Sequence, residues 1–369
     1  MSTAHAEGGS GLRFGVFGMS VRIPLSGLLG IGLIAWLWTP SFGGGAAGVP
    51  SAIAFALLLY VSILAHELAH GFTARALGNK VHGITLWIFG GFTVYEREGL
   101  TPAREAMIAA SGPLTTFAVA ALAKFGEDAA GPGTPAEVVL VLQALVWTNV
   151  LLGILNLLPG LPLDGGGIVR AAAWAMTGSQ HRGTVVAAWA GRVLAILVVG
   201  LPLVLAALPG SQLDLVTVVV AAVFGIFMWT GATAALRQST LEARIPALQA
   251  ATLARRAVPA AASESLALAR QRMSDAQAGA IVVMDEVGRP SGVVNEAAAA
   301  ATPPERRPWI PVGSLSTPLP ATASVGSSLA GHDLIEALQR ANAPVVLVRD
   351  AVGAIYGVLF IDDVERALG

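Results

Sequence analysis

The segment Ala65-His66-Glu67-Leu68-Ala69-His70 puts two imidazoles four residues apart, with a carboxylate next to the first. On a helix, positions i and i+4 share a face, so His66 and His70 can reach one metal ion. Glu67 is about 100° further round, close enough to address a water on that ion. Two histidines leave a tetrahedral zinc one protein ligand short if a water is to remain. The candidate third ligand is Asp164, in Asn156-Leu157-Leu158-Pro159-Gly160-Leu161-Pro162-Leu163-Asp164-Gly165-Gly166. Pro159 and Pro162 interrupt a helix there, and Gly165 to Gly167 let the chain approach closely. Two neutral imidazoles and one carboxylate would leave Zn²⁺ singly positive, and a bound hydroxide would neutralise it. Alone, a His-Glu-x-x-His string arises by chance and Asp164 reads as a turn aspartate. Its surroundings favour the chemistry.

Those surroundings are apolar. Of 369 residues, 54% are hydrophobic and 12% charged, with a mean hydropathy of +0.69. Soluble domains carry about 25% charged residues, so this is not an ordinary soluble protein. Residues 1–236 hold 20 charged side chains and residues 237–369 hold 25, which divides the chain into a membrane domain over 1–236 and a soluble domain over 237–369. Six apolar stretches, near 24–38, 52–72, 105–124, 136–158, 184–207 and 213–234, approach the length that crosses a hydrocarbon core of about 30 Å. His66 lies about 9 Å inside the second stretch at 1.5 Å per residue, where ionisable groups are costly without a purpose or a partner. Irregular backbone around Asp164 is tolerated at such depth only if it is buried in protein or lines a cavity.

Basic residues fall on alternate loops. Arg13, Arg22, Arg75, Lys80, Arg97, Arg104, Arg170, Arg182, Arg237 and Arg244 flank one side, and Lys124 is the only base in the others. This predicts a multi-pass protein of the cell membrane with both termini in the cytoplasm. The N-terminal flank lacks the pattern of a removable signal. The formal net charge of −1 gives no support for a nucleic-acid partner. Zero cysteine excludes disulfides and thiolate metal sites.

Residues 80–95 read as β-rich with a Gly90-Gly91 bend, and an unpaired strand edge there could take a substrate segment by β-augmentation. His82 reads as a polar hairpin residue. His5, His181 and His332 read as solvated, and Trp36, Trp38, Trp174, Trp189 and Trp229 suit interface or lipid-facing positions. In the tail, Asp285-Glu286-Val287-Gly288 leading to Gly292 recurs as Asp350-Ala351-Val352-Gly353 leading to Gly357, 65 residues on. With helical segments near 264–274 and 332–342, this predicts an α+β module of two pseudo-twofold copies.

HELAH in a transmembrane helix, followed by NLLPGLPLDGG after another, resembles the site-2 protease family of intramembrane zinc metalloproteases. The tail resembles a tandem pair of CBS domains, which one subgroup of that family carries. The fold implied is a polytopic α-helical membrane domain, about six transmembrane helices with a β-hairpin, followed by a soluble α+β tandem CBS module. The resemblance implies one Zn²⁺ on His66, His70 and Asp164, and Glu67 as general base. It also implies that Asn156 at the mouth of the site holds substrate or the developing oxyanion. Gly90 and Gly91 would present an edge to an extended substrate, because a helical substrate hides its carbonyls until it unwinds. Ser111-Gly112-Pro113 fits the family pattern as well. Gly167 stands where the family usually has arginine, and Arg170 matches a second arginine of the longer pattern. The implied partners are transmembrane protein substrates, anti-sigma factors among them, and the bilayer. A homodimer could form through the CBS module. An adenine nucleotide could bind there, although Phe360 replaces an expected hydroxyl and Ala298 an expected aspartate. Two other readings compete, a CBS-regulated channel or transporter and a catalytically silent scaffold. The clustering of ionisable groups and the full ligand set disfavour them.

Overall fold

The computed structural model describes residues 11–88, 90–97, 99–206, 214–320 and 322–369. The chain forms two compact units that divide between Arg237 and Gln238. His5 and the expected span limits at 207 and 213 lie outside the described residues.

In the first unit, β1 (Gly11–Val16) and β2 (Met19–Pro24) form an antiparallel hairpin, then α1 (Leu25–Trp38) and α2 (Gly45–Ala76) follow. A second hairpin, β3 (Val81–Trp87) and β4 (Gly90–Tyr95), leads to α3 (Pro102–Asp128), α4 (Ala136–Asn156), α5 (Asp164–Thr177), α6 (Gln180–Ala206) and α7 (Leu215–Arg244). Six helices among the described residues are long and apolar enough to cross a membrane, the first because α1 runs on through a 3-10 turn to Phe42 (Leu25–Phe42), and their limits contain the cores of the expected stretches. Five run longer, because a helix does not stop where the lipid does, and α4 stops at Asn156, short of the expected 158. The start of α3 is set by Thr101, whose hydroxyl accepts from the Arg104 amide at 3.3 Å, with Pro102 in the first turn.

Two elements exceed the expectation. The single hairpin is half of a four-stranded sheet, β1-β2-β3-β4, in which β2 and β3 pair in parallel through Val21 and Ile84. The cause is alternation: Met19 and Val21 are buried with Ile84, Leu86 and Tyr60, against α2, while Ser20 is exposed. The Gly-Gly pair is also not the bend. Trp87 pairs with Gly90 and Leu86 with Gly91, so the two glycines lie within the ladder and open β4, an edge strand. Residues 164–177 form a further helix, α5, too short to span. It begins at Asp164, after a loop from the end of α4 at Asn156 in which Pro159 and Pro162 keep the helix from continuing.

The second unit continues through α8 (Ala250–Leu253), β5 (Arg255–Ala261), α9 (Leu266–Asp275), β6 (Ala280–Met284), β7 (Pro290–Val294), α10 (Glu296–Ala301), β8 (Ser316–Pro318), β9 (Ser324–Gly326), α11 (Gly331–Ala341), β10 (Val345–Arg349), β11 (Ile355–Phe360) and α12 (Ile361–Leu368). The repeat is physical. Asp285 Oδ1 accepts from the amides of Val287 (3.0 Å) and Arg289 (2.7 Å), and Asp350 Oδ1 accepts from Val352 (3.0 Å) and Ala354 (2.8 Å). Each aspartate thus builds the turn of its own hairpin. The two copies join in one sheet, ordered β8-β7-β6-β5-β11-β10-β9, through the antiparallel β5–β11 pair. The expected α+β architecture is observed.

Candidate metal centre

Helix α3 positions both histidines of α2. His70 Nδ1 lies 2.7 Å from the Ile108 carbonyl, which can only accept, so this ring nitrogen carries the proton. His66 Nδ1 lies 2.8 Å from Thr116 Oγ1, whose own proton goes to the Gly112 carbonyl at 3.2 Å. The hydroxyl therefore accepts from His66. Both tautomers are fixed with the lone pair on Nε2, the form that binds metals.

The two Nε2 atoms face each other at 3.1 Å. Asp164, the first residue of α5, brings Oδ2 to 3.0 Å from His66 Nε2 and Oδ1 to 3.3 Å from His70 Nε2. All three groups can place a ligand atom within 4.8 Å of one another. His66 and His70 are buried and Asp164 partly so, and its Oδ2 has no hydrogen-bond donor among the described residues. Acceptors gathered this closely, in a medium of low dielectric, fit a cation between them. The set of two imidazoles and one carboxylate suits a divalent zinc ion. Gly112 leaves the space: a Cβ there would stand 2.3 Å from His70 Nε2 and 2.6 Å from His66 Nε2.

The remaining expected residues divide. Glu67 is buried on α2, with Thr93 Oγ1 of β4 at 2.7 Å from its Oε2. Gly91 packs directly on it, since a Cβ at 91 would meet Glu67 Cγ at 2.5 Å. Gly90 has open space beside it. Asn156 is half-buried as the last residue of α4, immediately before the loop that leads to Asp164. His82 on β3 faces Glu96 at 3.6 Å. Gly167 faces Ala109 of α3, a contact an arginine there would disrupt.

Sequence reasoning missed Thr116, Ile108, Thr93 and Glu105. The first three act through a hydroxyl or a carbonyl and have no spacing signal. Glu105, fully buried near the start of α3, forms an ion pair with the buried Arg170 of α5. This ties the helix that begins with Asp164 to the helix that orients the histidines. A glutamate at the edge of a predicted span, with an arginine six residues past Asp164, was the available signal.

A histidine pair on an intramembrane helix, completed by an aspartate from a later element, is a metallopeptidase type of site. Residues 54–127 and 128–200, which contain all of these groups, match the family model of Peptidase family M50. Over this stretch the first unit is similar to that peptidase family, in line with the resemblance that HELAH and NLLPGLPLDGG carry. Rip3 of Mycobacterium tuberculosis, described as a putative zinc metalloprotease, is 41% identical over 197 residues, covering 51% of this chain and 50% of that one. Zinc metalloprotease MJ0392 of Methanocaldococcus jannaschii is 32% identical over 144 residues, covering 38% of this chain and 40% of its own. The chain thus spans half or less of the length of these curated relatives. Among solved structures, the site-2 protease from Methanocaldococcus jannaschii superposes with a TM-score of 0.44 at 24% identity, over 62% of this chain and 95% of its own. The CBS domain of a bacterial CNNM/CorC family Mg²⁺ transporter gives a TM-score of 0.27 at 16% identity, over 36% of this chain and 83% of its own. The sequence matches carry the weight, not these superpositions.

The substitution Arg170→Met should leave the Glu105 carboxylate buried and alone, at a cost of about 3–5 kcal/mol. The thermal midpoint in detergent should fall clearly, and combining Arg170→Met with Glu105→Gln should recover much of the loss. An unchanged midpoint in the single variant would show that the pair anchors nothing.

Proposed function

We propose that this protein is an intramembrane zinc endopeptidase that hydrolyses peptide bonds in transmembrane segments of other membrane proteins, anti-sigma factors among the candidate substrates. The observation that supports this most is the convergence of His66 Nε2, His70 Nε2 and Asp164 inside the membrane unit, within a stretch matched by a peptidase family. These three would hold zinc, which when bound polarises a carbonyl and lowers the pKa of a water to about 7.

The chain's own groups account for the rest. Glu67 accepts a proton from the attacking water as its oxygen bonds to the scissile carbonyl carbon, then delivers that proton to the amine as the C–N bond breaks. Thr93 holds Oε2 of Glu67 in one orientation. The exposed edge of β4, starting at Gly90 and Gly91, would pair with an unwound substrate, which places the scissile bond beside Glu67. Asn156, at the end of α4, would bind substrate or the oxyanion.

In this reading the first domain comprises residues 1–236 and lies in the cell membrane, and 237–369 forms a cytoplasmic CBS pair that regulates cleavage through dimer rearrangement. A nucleotide would have to displace an existing pair. Arg255 Nε and Nη2 lie 2.8 and 3.0 Å from the two Asp363 oxygens, and its guanidinium stacks 4.6 Å from the Phe360 ring. This bidentate contact holds the Asp363 carboxyl below the usual carboxylate range.

Glu67→Gln should abolish cleavage of a co-expressed membrane substrate while zinc content stays near that of the unaltered protein. Asp164→Ala should lower the zinc content itself. Full activity in the first variant would remove Glu67 from the mechanism, and unchanged metal in the second would disqualify Asp164. Reporter fusions after residue 369 should be active only in the cytoplasm; periplasmic activity would invert the topology. Titration of the full chain with AMP or ATP should give no saturable binding and no change in cleavage rate. A saturable response lost in Asp363→Ala would instead make the second unit a nucleotide sensor.

A further inference from the structure

Arg192 is a cation within the fifth span, twelve residues after the start of α6 and fourteen before its end. At 1.5 Å per residue these are about 18 and 21 Å, so the side chain originates inside a hydrocarbon layer of about 30 Å. Its surroundings are outward-facing: Trp189, Val193, Ile196, Ile226 and Trp229 are all 44–63% exposed. In a membrane-spanning unit such a surface meets lipid.

The guanidinium lies 4.9 Å from the Trp189 ring and 5.0 Å from the Trp229 ring, held between the two indoles. Nη2 donates to Thr233 Oγ1 at 3.1 Å, and that hydroxyl's proton goes to the Trp229 carbonyl at 2.8 Å. Nε is buried with no acceptor, and no carboxylate pairs with Arg192 among the described residues. Five N–H donors and a full charge thus meet one neutral hydroxyl. That is an expensive arrangement at this depth unless an anion completes it.

The direction of the side chain indicates which anion. The α6 and α7 helices run antiparallel, because Ala187 and Ala188 pack with Ala232, and Ala195 with Met228. Trp189 and Thr233 therefore lie toward the same end of the bundle, where α6 starts and α7 finishes. Arg192 reaches that way, as a snorkelling arginine does toward the headgroup layer. The adjoining Gly191 packs on the Leu161 carbonyl, and Leu161 N donates to the Ala187 carbonyl at 3.1 Å, so this position backs the loop that leads to Asp164.

We propose that Arg192, framed by Trp189 and Trp229, is a binding site for the phosphate of an anionic phospholipid in the leaflet on the side where α6 begins. The indoles supply the interfacial setting, and the guanidinium supplies charge-assisted hydrogen bonds to a phosphodiester. A lipid held there would stand directly behind the Asp164 loop.

The test uses the full chain in nanodiscs or detergent, back-titrated with phosphatidylglycerol or phosphatidylcholine and followed by native mass spectrometry and thermal midpoint. Phosphatidylglycerol should be retained at least about fivefold more strongly than phosphatidylcholine, about 1 kcal/mol of preference, and should raise the midpoint. Arg192→Gln should abolish that preference and Arg192→Lys should keep part of it. Trp229→Leu, which leaves the charge in place, should weaken retention and serves if the glutamine variant does not fold. Equal retention of phosphatidylglycerol by wild type and both of the Gln and Leu variants would overturn the proposal. So would full displacement of the lipid by millimolar inorganic phosphate, which would make this a site for a free anion.

Discussion

Two imidazole lone pairs 3.1 Å apart, with a carboxylate beside both, repel one another wherever water cannot screen them. The membrane unit is organised around holding that unfavourable triangle together. Each Nδ1–H is committed to an acceptor on α3, so neither ring can turn its lone pair away. Asp164 is delivered by a loop that two prolines keep from becoming helix, and its helix is fastened to α3 by Glu105 and Arg170. Gly112 contributes by having nothing to put in the way. A cation between them converts this gathering of acceptors into a stable one, and two imidazoles with one carboxylate suit zinc.

The side chains that would hold the metal or move the proton were legible in the sequence. His66, Glu67 and His70 lie within one helical turn or so, and their hydrophobic setting raised a short motif well above chance. Asp164 was found because ionisable residues are so scarce in this half of the chain. The groups that orient them were not legible. Thr116 and Thr93 are common residue types for a membrane helix and a strand, and a carbonyl such as that of Ile108 leaves no trace in composition. Arg192 was passed over for a different reason: a count of loop charges assigns basic residues to membrane faces, and this one sits within a span.

The fold was read with similar unevenness. Long apolar stretches announce themselves, so the six spanning helices were placed within several residues at most of their ends. In the second unit, the repeated Asp-x-x-Gly turn revealed its architecture because each aspartate makes the same two backbone contacts in each copy. The hairpin of β1 and β2 was lost because Phe17-Gly18 is a weak turn signal and the alternation of Met19, Val21 and Ile23 is only three residues deep. The short helix α5 was hidden by the three glycines of its first turn.

That both rings and the aspartate's helix all fasten to α3 has a mechanical corollary. Bilayers differ in thickness, and spanning helices answer by tilting. If the three ligand-bearing groups hung from separate supports, each tilt would alter their separations. Suspended from one beam, they travel as a body, and the triangle keeps its dimensions while the bundle around it adjusts.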